Sequence, residues 1–378
     1  MPAAPSPATG LAAWLQLGLT PGIGPLTARA LLEHFGSPEA ALAAPSPALE
    51  ARIGPKRAHA LRVPDDDVLR QVAQALKWAE QTDHHLISLA DPRYPRLLAE
   101  VKDAPPLLYA VGKPSLLQRP ILALVGSRNP TAGGLSLAEH FAHALCAAGW
   151  TIASGLALGI DAAAHRGALA GPGGTIAVVG TGADVLYPAR NRALAERIQA
   201  EGLLISELPL GTPPAAGQFP RRNRLIAGLS RGVLVVEAAL HSGSLITARE
   251  AAEYGREVLA IPGSIHSPLA RGCHALIRDG AVLVECVEDV QAALPLAGSH
   301  PASLGTMAQA LAEPSPSAAQ DIDPVLAAIG YSPVLPDELG LHLGWEAGEL
   351  GARLVLLELE GSIERLSDGR VVRCALRA

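Results

Sequence analysis

Lysine is scarce in this 378-residue chain: Lys56, Lys77, Lys102 and Lys113 stand against 26 arginines. Arginine's planar fork suits phosphate and stacks on bases, so the bias permits nucleic-acid chemistry without requiring it. Cysteine is equally sparse. Cys146, Cys273, Cys286 and Cys374 lie far apart with no C-x-x-C pair, which reads as reduced thiols rather than as a metal or redox centre. No apolar run reaches the roughly 18 residues that a membrane helix needs. The opening MPAAPSPATG lacks the basic start and apolar centre of a secretory signal. The expectation is a cytoplasmic protein with no membrane contact. Basic excess is absent too, since the formal net charge is −6. That excludes a uniformly basic polymer binder and confines any nucleic-acid site to a local patch. What is plentiful is apolar: 49% hydrophobic residues against 17% charged supply a sizeable core, and the length suits two or three domains.

Texture divides the chain. Residues 1–82 read as short helices broken by Gly-Pro pairs behind a Pro/Ala/Ser lead-in. Residues 83–292 alternate short apolar runs with helical patterns. Residues 293–322 (PLAGSHPASLG, then EPSPSAAQ) read as a linker, and 323–378 as a small terminal domain. In the middle region the buried-strand candidates are Ile121–Val125, Thr151–Ser154, Thr175–Val179, Leu203–Ser206, Val233–Val236 and Val258–Ile261. Helical patterns cover Leu135–Ala148, Ile160–Ala170 and Leu245–Tyr254. This alternation predicts an α/β, Rossmann-like, mainly parallel sheet, with ligand sites beyond the carboxyl ends of its strands. Two strand-like runs within 84–111 suit an edge extension of that sheet.

Four constellations carry chemistry. Thr20-Pro21-Gly22-Ile23-Gly24-Pro25 before a helical run has the form of a helix-hairpin-helix. Its Gly22 and Gly24 turn aims free amides at a phosphate, or serves only for packing. A weaker copy is Ile53-Gly54-Pro55-Lys56, where Arg52, Lys56, Arg57 and Arg62 carry charge with no acid between. Gly126-Ser127-Arg128-Asn129-Pro130 closes the first parallel strand, either as an anion turn or as a plain strand-to-helix turn. Ser154-Gly155 through Gly159-Ile160-Asp161 is a glycine-bracketed loop in which Ser154 is a phosphate-donor candidate and Asp161 and His165 suit a structural contact. Phe219-Pro220-Arg221-Arg222-Asn223-Arg224 concentrates positive charge, with four arginines and no acid from 217 to 231. Helical spacing puts Arg221 and Arg224 on one face. It suggests Arg222 as a buried partner of Glu207 or Glu237 and Arg224 as the ligand-facing arginine. Phe219 is either a core anchor or a platform for an unpaired base. Gly182, Asp184, Tyr187-Pro188 and Asn191 form a polar loop after the third parallel strand. No nucleophile elbow or metal-ligand cluster is present in the pattern.

GSR at 126–128, SGLALGID at 154–161, GTG at 180–182, FPRRNRLIAGLS at 219–230, GSLITA at 243–248 and IPGS at 261–264 together resemble the DNA-processing protein A (DprA/Smf) family. The resemblance runs through the sheet domain and reaches both flanking modules. It implies an N-terminal helix-hairpin-helix module, a Rossmann-like platform without catalytic residues or cofactors, and a C-terminal winged helix. The implied role is binding single-stranded DNA during natural transformation, protecting it and loading RecA, as a homodimer through the sheet domain. Carried over by motif, the DNA contacts are Ser127, Arg128, Ser154, Gly155, Phe219, Arg221, Arg222 and Arg224, with Gly22, Gly24, Lys56 and Arg57 as auxiliary phosphate contacts.

The terminal module is expected to form helices at Pro324–Ile329, Pro336–Leu341 and Trp345–Glu360, with a core stripe of Ala347, Leu350, Leu354 and Leu357. Its long helix carries Glu346, Glu349, Glu358 and Glu360 against Arg353 alone, which disfavours phosphate contact. The competing reading is a nucleotide phosphoribohydrolase of the lysine-decarboxylase-like (LOG) type. That reading needs P-G-G-x-G-T-x-x-E, and Pro172-Gly173-Gly174 here is followed by Thr175-Ile176 without the rest.

Overall fold

A computed structural model describes residues 7–296, 323–329 and 333–374. Six helices come first: α1 (Pro7–Leu19), α2 (Pro25–Phe35), α3 (Pro38–Ala43), α4 (Ser46–Ile53), α5 (Pro55–Arg62) and α6 (Asp66–Trp78). Proline occupies the first turn of α2 to α5, where its missing N–H costs nothing. Asp65 starts α6 by accepting the Val68 amide at 2.9 Å. Leu17, Ile23, Leu31, Leu49, Ile53 and Leu61 form the core of this module.

The sheet has nine strands: β1 (His84–Ser88), β2 (Leu107–Gly112), β3 (Ile121–Val125), β4 (Thr151–Ser154), β5 (Thr175–Val178), β6 (Leu203–Ser206), β7 (Gly232–Val235), β8 (Glu257–Ala260) and β9 (Val282–Leu283). Their order is β1-β2-β6-β5-β4-β3-β7-β8-β9. From β6 to β9 every pairing is parallel, while β1 and β2 add an antiparallel edge. The strands read as unbroken apolar runs because helices cover both faces, leaving β3 to β7 wholly buried. The helices are α7 (Arg96–Ala99), α8 (Ala132–Ala147), α9 (Ile160–Leu169), α10 (Arg192–Glu201), α11 (Gln218–Leu229), α12 (Ser244–Glu253), α13 (Arg271–Arg278) and α14 (Val287–Ala293). The strand order reverses at β3, which has β4 on one side and β7 on the other. A doubly wound sheet opens its ligand crevice at such a reversal.

The helical module and the sheet belong to one compact unit. Arg29 of α2 donates to the carbonyls of Ala99 and Val101, at 3.1 and 2.7 Å. Trp14 and Leu15 of α1 share a core with Trp78, Leu86 and Tyr109. β2 is therefore buried on both faces although it lies one strand from the edge.

The second unit holds α15 (Pro324–Ile329), α16 (Pro336–Leu343), α17 (Ala347–Leu359) and a hairpin of β10 (Ile363–Arg365) with β11 (Val371–Arg373). Leu350, Leu354 and Leu357 face its core, but Ala347 is exposed, since it lies in the first turn beyond the reach of α15. From residue 297 to 322 the expected linker lies outside the described residues. Among the described residues no helix is long and apolar enough to cross a membrane.

The expected Asp161–His165 contact does not form. His165 Nδ1 pairs at 2.7 Å with the Thr175 hydroxyl, which itself donates to the Ile152 carbonyl at 2.8 Å. The imidazole must then carry its proton on Nδ1. Nε2 is buried without a partner, and burial, with the Arg222 charge, pushes the His165 pKa down to about 3. The unfolded chain takes up this proton near pH 6.5 and the native state does not, so stability present above that pH drains away as pH falls toward 3. His165→Asn, which keeps an N–H for Thr175, is expected to melt below wild type at about pH 7.5, with the gap narrowing toward about pH 5. Thermal melts across that range check this, and a gap independent of pH contradicts it.

Candidate nucleic-acid interface

The carboxyl ends of β3, β4 and β5 are tied together by backbone and by one buried arginine. After β3 the Ser127 amide donates to the Glu237 carbonyl at 2.7 Å, and the Ser127 carbonyl accepts the Ile160 amide at 3.1 Å. Gly159 has φ +81°, and a Cβ there would fall on that same Ser127 carbonyl. The Ser127 hydroxyl accepts the Asn129 amide at 3.1 Å and shapes the turn. Arg128, next in line, projects outward and is exposed.

Arg222 enters this layer from α11 and is 6% exposed. Its Nη1 donates to the Gly155 carbonyl at 2.5 Å and to the Val178 carbonyl, joining the ends of β4 and β5. Asp161 supplies the opposing charge and accepts the Gly155 and Ala157 amides at 3.1 and 3.4 Å. Burial lowers the Arg222 pKa to about 10, which leaves it charged at neutral pH. Burial likewise raises the Asp161 pKa, opposed by Arg222. Gly155 has to be glycine, because a Cβ would lie 2.5 Å from Arg222 Nη2.

The structure thus divides the expected contact residues. Ser154 is fully buried and its hydroxyl donates to the Leu124 carbonyl at 2.7 Å, so it is no phosphate donor. Gly155 and Arg222 are spent on each other. Arg222 is buried as expected, but its partners are two carbonyls and Asp161, not Glu207 or Glu237. Arg224 was expected to face a ligand and is 7% exposed. It donates to Glu207, pairs with Asp103 at 3.2 Å and donates to the Asp103 carbonyl at 2.6 Å. The reason is geometric. Beyond its first turn α11 is covered all round, so two residues on opposite flanks can both be interior.

Arg128, Phe219 and Arg221 remain at the surface. Phe219 is half-buried, its ring lying against Gly180. The Arg128 guanidinium carbon lies 5.8 Å from its centroid, and Tyr187 lies 5.8 Å away at an interplanar angle of 31°. Tyr187 is 44% exposed. Its importance was missed because the loop after β5 carries it there from 32 residues upstream. Arg221 is exposed and makes no ion pair among the described residues. The result is a cation–aromatic–aromatic ledge at the strand-order reversal, built on an internal clamp.

The two hairpins of the helical module also meet. Gly22 has φ +84°, and the Arg57 side chain lies over it, with Nε 3.5 Å from where a Cβ would be. Gly24 caps α2 in extended conformation with no side-chain cap, and Lys56 is exposed. Pro172-Gly173-Gly174 lies on the opposite side of the sheet, leading into β5, with Arg119 donating to the carbonyls of Pro172 and Gly173 at 3.1 and 2.9 Å. It is a structural turn remote from the ledge. Among the described residues no three His, Cys, Asp or Glu side chains gather in a metal-binding group.

Family comparisons agree with this architecture. The DNA recombination-mediator protein A model matches residues 85–295, the DprA-like N-terminal HHH domain residues 10–73 and the DprA winged helix domain residues 309–369. The chain belongs to the DNA recombination-mediator protein A family. It is 36% identical to protein Smf of Synechocystis sp. over 93% of this chain and 96% of that one. It is 41% identical to protein Smf of Escherichia coli over 80% and 81%. The solved structure of DprA from Streptococcus pneumoniae matches with a TM-score of 0.65 at 39% identity, covering 74% of this chain and 95% of that one. DprA from Helicobacter pylori, a structure described for its single-stranded DNA binding mode, matches at 0.50 and 32% identity over 53% and 92%. Membership makes this a DNA-processing protein on a mostly parallel sheet with a helix-hairpin-helix module and a winged helix.

Arg222→Met leaves two carbonyls and Asp161 without their buried cation, so it is expected to cost about 3–5 kcal/mol of stability. Gly155→Ala acts through the same clamp and shifts in the same direction. Urea denaturation measures both, with exposed Arg128→Ala as the neutral control. An unchanged midpoint in Arg222→Met contradicts the clamp.

Proposed function

We propose that the chain binds single-stranded DNA without reading its sequence, at the ledge of Arg128, Tyr187, Phe219 and Arg221. The observation that carries this is the ledge itself: two tilted aromatic rings with exposed Arg128 over one of them, and exposed Arg221 two residues along the same helix as Phe219. Unpaired bases expose faces for stacking, and duplex bases do not. Ser127 shapes the turn beneath Arg128. Gly22, Gly24, Lys56 and Arg57 supply auxiliary phosphate contacts, since α2 presents free amides next to Arg57. The role is that of a binding platform rather than an enzyme, working in the cytoplasm in natural transformation. RecA as protein partner, loading onto the protected strand, and a homodimer through the sheet domain follow from the family resemblance. Light scattering and a RecA pull-down test these two.

Single strands are expected to bind well above duplex. If four to six phosphates are neutralised, log K against log[salt] should slope about −3 to −4. Arg128→Ala and Phe219→Ala should each weaken binding by roughly 10- to 100-fold with the fold intact, and Tyr187→Ala by less. Fluorescence anisotropy with labelled oligonucleotides measures all of these. A flat salt response, or equal affinity for duplex, sinks the reading.

The winged-helix module is expected to be dispensable for this binding. Residues 323–378 hold five arginines against nine acidic side chains. Three of these are engaged at home: Arg353 pairs with Asp323, Arg365 with Glu358 at 3.7 Å, and Arg370 with Asp368 at 2.5 Å. A chain ending at residue 296 should keep single-strand affinity within a few-fold of the full chain, and the isolated module should not shift an oligonucleotide. Loss of binding on truncation reverses this assignment.

A further inference from the structure

A cleft of about 150 Å³ opens between the helical module and the sheet, walled by Leu15, Leu19 and Ile23 on one side and Pro106, Tyr109 and Leu208 on the other. Glu207 and Arg221 line it, and the same two residues line the recess at Val179 and Gly180 beneath α11. The cleft is thus continuous with the ledge through one exposed arginine. A strand leaving Phe219 past Arg221 arrives at its mouth, where Gly24 and Pro25 also present the uncapped start of α2.

Of the wall residues Leu19, Pro106 and Leu208 are partly exposed, and such leucine and proline surfaces pack on the face of a flat aromatic ring. One edge is polar. Glu207 is buried, with one carboxylate oxygen bound by Arg224, so its charge is countered from within the fold. Such a carboxylate accepts from the amino edge of a base. The volume suits one base and not a stack of them. Resting on single-strand binding at the ledge, we propose that this cleft takes one unstacked nucleobase of the same strand, with the adjoining phosphate on Arg221. The helical module then acts as the second wall of a base pocket, a role separate from its hairpin amides.

Gly18 lines the cleft from α1, is exposed, and has Pro106 Cγ 3.7 Å from where its Cβ would be, so Gly18→Phe fills the space without a backbone clash. The full chain and this variant are compared on an oligothymidylate length series, with melting checked in both. Short oligonucleotides that reach only the ledge should bind both alike. Longer ones should lose about tenfold in the variant, the worth of one stacked base. Photocrosslinking with 5-iododeoxyuridine in the longer strand should tag peptides holding Leu15–Pro25 or Pro105–Tyr109 in wild type and not in Gly18→Phe. Adducts confined to the segments of Arg128, Tyr187 and Phe219, or equal affinity of both proteins at every length, overturn the cleft assignment and leave the ledge standing. Absence of single-strand binding by wild type at every length overturns both.

Discussion

Arg222 is the constraint on which the site depends. Its guanidinium lies where two strand ends and a helix start converge, bonded to the carbonyls of Gly155 and Val178 and opposed by Asp161. A parallel sheet leaves carbonyls without ladder partners at its carboxyl edge. Most doubly wound proteins leave that edge to water or ligand. Here a protein cation takes part of it, at the cost of desolvating an arginine and a carboxylate. The interaction also fixes the height and rotation of α11, and with them the positions of Phe219 and Arg221 at the start of the helix. Leu156, in left-handed conformation at φ +58°, is held between this clamp and Asn191, whose amide donates to the Leu156 carbonyl at 2.9 Å. The polar loop after β5 therefore braces the loop after β4 with Asn191 and presents Tyr187 to solvent a few residues earlier.

The strands were legible because burial on both faces removes alternation and leaves short β-branched and leucine-rich runs. β3, β4 and β6 have the bounds expected of them, and β5, β7 and β8 differ by one residue. The edge pair was legible only as a suggestion, since β1 and β2 are shaped by what packs on them: α1 and α6 bury Leu86 and Tyr109. Site residues were less legible. Helical spacing separates faces only when a helix has an exposed face. In α11 every residue from Leu225 to Leu229 is buried, so Arg224 had nowhere polar to point except Glu207 and Asp103. Ser154 has the same lesson at smaller scale: a hydroxyl at a strand end suits a ligand or a neighbouring carbonyl equally, and the neighbouring strand decides. Nothing local marks Tyr187 as a partner of Phe219, because that contact exists only once β5 and α11 are adjacent.

An acidic chain can hold an anionic polymer if its positive charge is distributed by depth. Arginines inside the fold, Arg222 and Arg224, are cancelled by Asp161, Glu207 and Asp103 and contribute little outward field. Many exposed ones on helices are cancelled along the chain, as in Arg192–Glu196 and Arg197–Glu201. In the winged-helix module Arg353, Arg365 and Arg370 pair with acids of that same module. Arg128, over the Phe219 ring, and Arg221, two residues beyond Phe219 along α11, are exposed and make no ion pair among the described residues. A uniformly basic surface would hold duplex and single strand alike through phosphate charge. Arginine charge set against the tilted Phe219 and Tyr187 rings is most useful where a base face is also available. In the proposed reading, preference for unpaired DNA rests on the placement of these two arginines at the aromatic ledge.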